Sequence, residues 1–201
     1  MKRGSFLVLE GIDGSGKSTQ LQRLAAALEA AGHAVLATRE PSDGAIGRRI
    51  REMARSGETL PPQQELEWFM EDRAEHVREV IQPALAAGRT VLCDRYYLST
   101  VAYQGARGLD WEAILAESEA RFPQPELALI LEIDAASGLA RTRLRGGAAD
   151  PAFENLEFLE RVAAIFAAID RPWIARIDGS RDPDSVASAI NAAVESRDAR
   201  N

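Results

Sequence analysis

Apolar residues come along this chain in two alternating kinds of run. Short blocks at Phe6-Leu7-Val8-Leu9, Val35-Leu36-Ala37-Thr38, Thr90-Val91-Leu92-Cys93, Leu127 to Ile133 and Trp173 to Ile177 are too brief for helices and read as buried strands. Between them the apolar positions take helical spacing. Leu21, Leu24, Ala25 and Leu28 predict a helix over Lys17 to Ala31 that Gly32 ends. A second runs over Ala45 to Ser56. Pro61-Pro62 opens a longer one through Leu66, Phe69, Val77 and Val80, with Pro83 expected to bend or interrupt it before Gly88. Further helices are expected over Ser99 to Gln104, over Trp111 to Arg121, from about Ala135, through Phe158, Val162, Ile165, Phe166 and Ile169, and over Val186 to Val194. Strand and helix alternate throughout, which predicts the α/β class: a five-stranded parallel sheet with helices on both faces.

Composition narrows this further. With 201 residues, 46% of them hydrophobic, the chain can bury one proper core, so residues 1–201 are expected to form a single domain. A net charge of −7 argues against a general nucleic-acid or membrane-surface binder, which would carry excess Lys and Arg. The single cysteine, Cys93, has no partner within the chain for a disulfide, and the apolar run before Glu10 is too short for a signal peptide. No segment has the length of a membrane span, and the expected location is cytoplasmic.

The chemistry concentrates at Gly11-Ile12-Asp13-Gly14-Ser15-Gly16-Lys17-Ser18, which fits G-x-x-x-x-G-K-[ST] and lies between a predicted strand and a predicted helix. Glycines there let successive N–H groups converge on phosphate oxygens, and the helix directs its positive dipole end at the same anion. Lys17 brings a cation to the transferred phosphoryl group, and Ser18 offers a hydroxyl to magnesium. Asp13 sits inside this cradle, where a carboxylate needs a donor such as a sugar hydroxyl. Asp94-Arg95 closes the third strand, at the end where parallel sheets place ligands, so Asp94 can hold Mg²⁺ and Arg95 can reach an acceptor phosphate. Arg141, Arg143 and Arg145 precede Gly146-Gly147, a segment expected to be a short mobile lid over about 141–155. A cradle alone does not separate a kinase from a GTPase switch, a transport ATPase or a helicase motor.

Several motifs taken together resemble one family. The cradle with Thr19-Gln20, Thr38-Arg39-Glu40-Pro41, Asp72-Arg73-Ala74-Glu75-His76-Val77, Asp94-Arg95-Tyr96 with Ser99, Ala102-Tyr103-Gln104-Gly105, and Phe153-Glu154 ahead of Glu157 to Val162 are similar, in this order, to bacterial thymidylate kinases. The resemblance implies a P-loop NTPase fold of the nucleoside monophosphate kinase kind, and ATP-dependent phosphorylation of dTMP to dTDP with Mg²⁺ on a homodimer. It implies that Gly11 to Thr19 bind the ATP phosphates and that Asp13 receives the deoxyribose 3′-hydroxyl. Phe69 would stack on thymine and Arg73 would donate to a base carbonyl. Arg95, with Arg39 nearby, would clamp the acceptor phosphate, while Thr100, Tyr103 and Gln104 line the base and sugar pocket. Relatives keep a catalytic arginine either in the cradle or in the lid. Here the cradle position is Gly14, so Arg141 or Arg145 is expected to act beside Lys17 and Arg95. The chain departs from many relatives at Asp150-Pro151-Ala152-Phe153-Glu154, which lacks an arginine. Two other readings stay open: a kinase for another nucleoside monophosphate, and a nucleotide-dependent ATPase switch.

Overall fold

The computed structural model describes residues 4–144 and 155–198. Five strands, β1 (Phe6–Glu10), β2 (Val35–Arg39), β3 (Thr90–Asp94), β4 (Leu127–Glu132) and β5 (Ile174–Asp178), form one sheet in the order β2-β3-β1-β4-β5. Every neighbouring pair is parallel. The helices between them are α1 (Lys17–Ala30), α2 (Ala45–Ser56), α3 (Pro62–His76), α4 (Gln82–Ala86), α5 (Tyr97–Ala106), α6 (Trp111–Arg121), α7 (Ala135–Leu144), α8 (Leu156–Ala168) and α9 (Pro183–Asp198).

Side chains alternate across a strand, so each central strand feeds two cores. Phe6 and Val8 of β1 face one way with Val91, Cys93, Ala128 and Ile130, and pack against α3 to α6 and α8. Leu7 and Leu9 face the other way with Leu92, Leu127, Leu129 and Leu131, under Leu21 and Leu24 of α1 and Val186, Ile190 and Val194 of α9. β1 lies at the centre, with β3 on one side and β4 on the other. The chain crosses from one half of the sheet to the other beside it, and in such sheets ligands sit at the carboxyl ends of the strands at that point.

Pro83 does not interrupt the long helix. A wider π-helical turn at Val77–Ile81 joins α3 to α4 immediately before it, which absorbs the missing N–H and the clash of the ring with the preceding turn. The loop after β2 is restrained from α3: Asp72 accepts from the Ser42 N–H at 2.8 Å and from the Ser42 hydroxyl at 2.5 Å.

Candidate active site

The cradle follows β1 through Gly11, Gly14 and Gly16, all at positive φ. At Gly14 (φ 81°) a Cβ would lie 2.1 Å from the Gly138 carbonyl oxygen, and a Cβ on Gly138 would lie 2.6 Å from the Asp13 carbonyl oxygen. The loop and α7 therefore meet backbone to backbone. α1 begins at Lys17 with no side chain capping its first turn, which leaves its N–H groups to an anion. The Lys17 ammonium is buried and donates to the carbonyls of Gly11 and Ile12 at 3.0 and 2.8 Å. Burial pulls its pKa down to about 8, Arg95 adds to the fall, and Asp13, Asp94 and Glu10 oppose it.

Asp13 and Arg95 form the junction between cradle and cavity. Arg95 Nη2 donates to Asp13 Oδ1 at 2.6 Å, and the Tyr103 hydroxyl donates to Asp13 Oδ2 at 2.8 Å. Burial works against the Asp13 carboxylate, but the charges of Arg95 and Lys17 outweigh it and hold its pKa at about 2. Arg95 is the one non-glycine residue at positive φ among the described residues, at 69°. That conformation costs about 1–2 kcal/mol for a side chain with a Cβ, and the surrounding bonds enforce it. Glu10, at the end of β1, accepts from the N–H groups of Tyr96 and Ser99 and from the Ser99 hydroxyl. Ser99 Oγ in turn accepts from Arg95 Nη1 at 3.2 Å. Burial raises the Glu10 pKa to about 7 against the pull of Ser99 and Arg95.

Ser18 and Asp94 meet across the cradle, with the hydroxyl donating to Asp94 Oδ2 at 2.5 Å. Asp94 Oδ1 is buried and has no hydrogen-bond partner among the described residues. An orphaned carboxylate oxygen beside a hydroxyl, next to a phosphate cradle, suits a hard cation that keeps most of its water.

Beside this junction opens a cavity of about 330 Å³ whose walls include Asp13, Arg95, Phe69, Arg73, Tyr103 and Gln104. Leu66 and Phe69 lie one turn apart on α3, but only Leu66 joins the core; Phe69 is half-buried in the cavity wall. Arg73 is 1% exposed. Its Nε donates to Glu40 and its Nη2 to the Thr100 hydroxyl, both at 2.8 Å. Glu40 also faces His76 Nδ1 at 3.1 Å, while His76 Nε2 lies 2.8 Å from the Thr38 hydroxyl. Since a carboxylate only accepts, His76 donates from Nδ1, and in the neutral ring Nε2 accepts from the Thr38 hydroxyl. Gln104 donates to Glu65, which is also ion-paired to Arg107.

Arg39 does not line this cavity. Its side chain is 59% exposed and pairs with Asp43 at 3.0 Å, because its position at the end of an edge strand points it at the loop that follows. Arg51, from α2, lines the cavity wall and also bonds the carbonyls of Pro41 and Ser42. Thr19 is exposed on the first turn of α1. Arg141 donates to the Gly179 carbonyl at 3.1 Å, in the turn after β5. Arg145 and the rest of residues 145–154, most of the expected lid over about 141–155, lie outside the described residues.

Sequence reasoning assigned no role to Glu10, Glu40, Glu65, His76, Arg51 or Arg107. The available signal was a charged residue directly at the end of an apolar strand, as at Glu10 and Glu40. The Glu65 and Arg107 pairing spans 42 residues and gives no local signal.

The sequence model described as Thymidylate kinase matches residues 9–190. The chain is 43% identical over 183 residues to a thymidylate kinase of Desulfotalea psychrophila, covering 91% of this chain and 90% of that one. It is 45% identical over 191 residues to one of Xanthomonas campestris pv. campestris, covering 95% and 83%. With one of Xanthomonas euvesicatoria pv. vesicatoria the identity is 44% over 195 residues, covering 96% and 85%. The chain belongs to the thymidylate kinase family.

Proposed function

We propose that this chain, in catalysing the ATP-dependent phosphorylation of dTMP to dTDP, holds the donor phosphates over the glycine cradle and the acceptor in the 330 Å³ cavity beside it. The observation that carries this reading is the junction of the two: Asp13 belongs to the cradle by sequence and to the cavity wall by position. The acceptor is already an anion, so no strong base is needed; positioning and charge neutralisation suffice.

Lys17 and the N–H groups at the start of α1 meet the donor phosphates, and Arg95 reaches the acceptor phosphate from the ion pair with Asp13. The other Asp13 oxygen, on Tyr103, lies where a sugar hydroxyl can join the network. Phe69 offers a ring face to the base and Arg73 a donor edge. Arg51 takes the place beside Arg95 that the sequence suggested for Arg39. Arg141, one turn beyond Gly138, is the lid arginine that we assign to the transferred group, with Arg145 following it in the sequence. Ser18 and Asp94 are the residues that would hold Mg²⁺, and that ion, when bound, would offset phosphate charge. We also read the protein as a cytoplasmic homodimer comprising one domain. No helix among the described residues is long and apolar enough to cross a membrane.

ADP release measured in a coupled assay with dTMP, dUMP, dCMP and dAMP tests the assignment. Strong dependence on dTMP is expected. ATP hydrolysis at the same rate with no acceptor would refute it in favour of a switch.

A further inference from the structure

Asp72, on α3, is 1% exposed, and the only bonds of its carboxylate among the described residues go to Ser42, itself 4% exposed. The Ser42 N–H meets one carboxylate oxygen and the Ser42 hydroxyl the other, so both sides of the group are used. The hydroxyl oxygen accepts in turn from the Gly44 N–H at 3.0 Å, at the entry to α2. The first turn of α2 lies directly on this contact: a Cβ on Gly47 would stand 2.2 Å from the Ser42 carbonyl oxygen and 2.6 Å from Asp72 Oδ1. One turn further along α2, Arg51 folds back onto the same loop. Its Nη1 donates to the carbonyls of Pro41 and Ser42, and its Nη2 donates to Asp43 at 2.9 Å. The side chain lines the cavity that Arg95 also lines. The three loop residues that hold this guanidinium are therefore the three that Asp72 grips at their middle. A buried carboxylate without an ion-pair partner is costly, and here two donors and the positive end of α2 offset that cost.

From this geometry we infer that Asp72 is a positioning residue for the acceptor phosphate: by clamping Ser42 it fixes the carbonyls that aim the Arg51 guanidinium into the cavity. The inference deepens the proposed function and rests on it, since Arg51 meets the acceptor phosphate in that reading. A guanidinium that swings freely brings charge without direction, whereas phosphate oxygens are matched by a fork held in one plane. Anchored at Nη1 and Nη2, Arg51 keeps its remaining N–H groups in one orientation before the ligand arrives, which lowers the ordering cost of binding. The adjacent residue of α3, Arg73, grips Glu40, so α3 holds the loop at two alternate residues. Asp72 touches no ligand in this scheme. Its effect is confined to the phosphate end of the acceptor, and a nucleoside without phosphate does not feel it.

Calorimetry on the intact protein gives Kd for dTMP and for thymidine, in the wild type and in Asp72→Asn, with circular dichroism confirming the fold of each. The two Ser42 donors meet different oxygens, so an amide at position 72 satisfies only one of them. The Kd for dTMP is expected to rise about tenfold while that for thymidine stays within about twofold. In an Arg51→Ala background the same change is expected to leave both values unmoved, because residues acting through one another are not additive. Equal weakening of the two ligands would show a purely structural role and overturn the inference, as would an unchanged Kd for dTMP. Arg51→Ala alone separates the inference from the reading beneath it. If that variant binds dTMP and thymidine in the wild-type ratio, the assignment of Arg51 to the acceptor phosphate falls and the inference falls with it. If it lowers the preference for dTMP while Asp72→Asn does not, only the inference falls. If Asp72→Asn does not fold, Ser42→Ala decides: it removes the hydroxyl from the clamp and is expected to weaken dTMP alone, and equal or absent weakening overturns the inference.

Discussion

Replacing Glu40 by Gln isolates one charge at the centre of the site. Glu40 and Arg73 have side chains 4% and 1% exposed, 2.8 Å apart, with His76 on the second carboxylate oxygen. The isosteric amide preserves the hydrogen bonds. Its oxygen still accepts from Arg73, and its NH₂ can donate to His76 Nδ1 if the imidazole changes tautomer and donates from Nε2 to Thr38. The charge is what disappears. Two unit charges about 4 Å apart attract by about 4 kcal/mol at an effective dielectric of about 20, and removing one partner of a buried pair typically costs about 3–5 kcal/mol. Relief of the carboxylate's own desolvation places the expectation at the lower end, about 3 kcal/mol. For a chain of this size, at about 2–4 °C per kcal/mol, the midpoint falls by about 6–12 °C. The assay is calorimetric or circular-dichroism melting without nucleotide, since a ligand at about 100 times its Kd would add about 2.7 kcal/mol and mask the difference. Nitrogen-15 spectra of His76 report the tautomer independently. In the Arg73→Met background the same replacement is expected to cost much less. A fall of less than about 2 °C, or an equal fall in both backgrounds, would refute the reasoning.

Three further outcomes follow from the cradle. Gly14→Ala places a Cβ within 2.1 Å of the Gly138 carbonyl at a φ of 81°, so ATP affinity measured by calorimetry is expected to fall at least about tenfold. Because burial lowers the Lys17 pKa to about 8, the free enzyme loses the cation as pH rises through that value. A pH series is expected to show kcat/KM for ATP falling above about pH 8 while kcat, reporting the phosphate-bound lysine, falls at higher pH. Asp94→Asn removes the charge of the orphaned carboxylate. It is expected to raise the magnesium concentration needed for half-maximal rate by about 10–100-fold, read from a magnesium titration of initial rates.

The sheet and the cradle were legible because each is written locally. A buried parallel strand is a short apolar run, and the phosphate loop has fixed spacing, so both can be read within ten residues. Boundaries were missed where tertiary packing settles them: α5 starts at Tyr97 rather than Ser99 because Glu10, 89 residues earlier, takes up the N–H groups of Tyr96 and Ser99 at its start. Phe69 illustrates a limit of periodicity, since helical spacing cannot tell a ring on a cavity wall from one in the core. Arg39 illustrates another: sequence proximity to the site says nothing about which way an edge strand's last side chain turns. The carboxylates at positions 10, 40 and 65 went unassigned because their roles exist only through partners distant in the chain.

The facing glycines at 14 and 138 carry a consequence for how the arginine helix is deployed. Two bare backbones in van der Waals contact make a pivot with no compressible side chain in it, so the base of α7 keeps its height above the loop. Arg141 is three residues further on, on the same helical face, and its distance from the pivot is set by helix rise alone. Insertions or deletions beyond that point leave the arm between this contact and the Arg141 guanidinium at the same length.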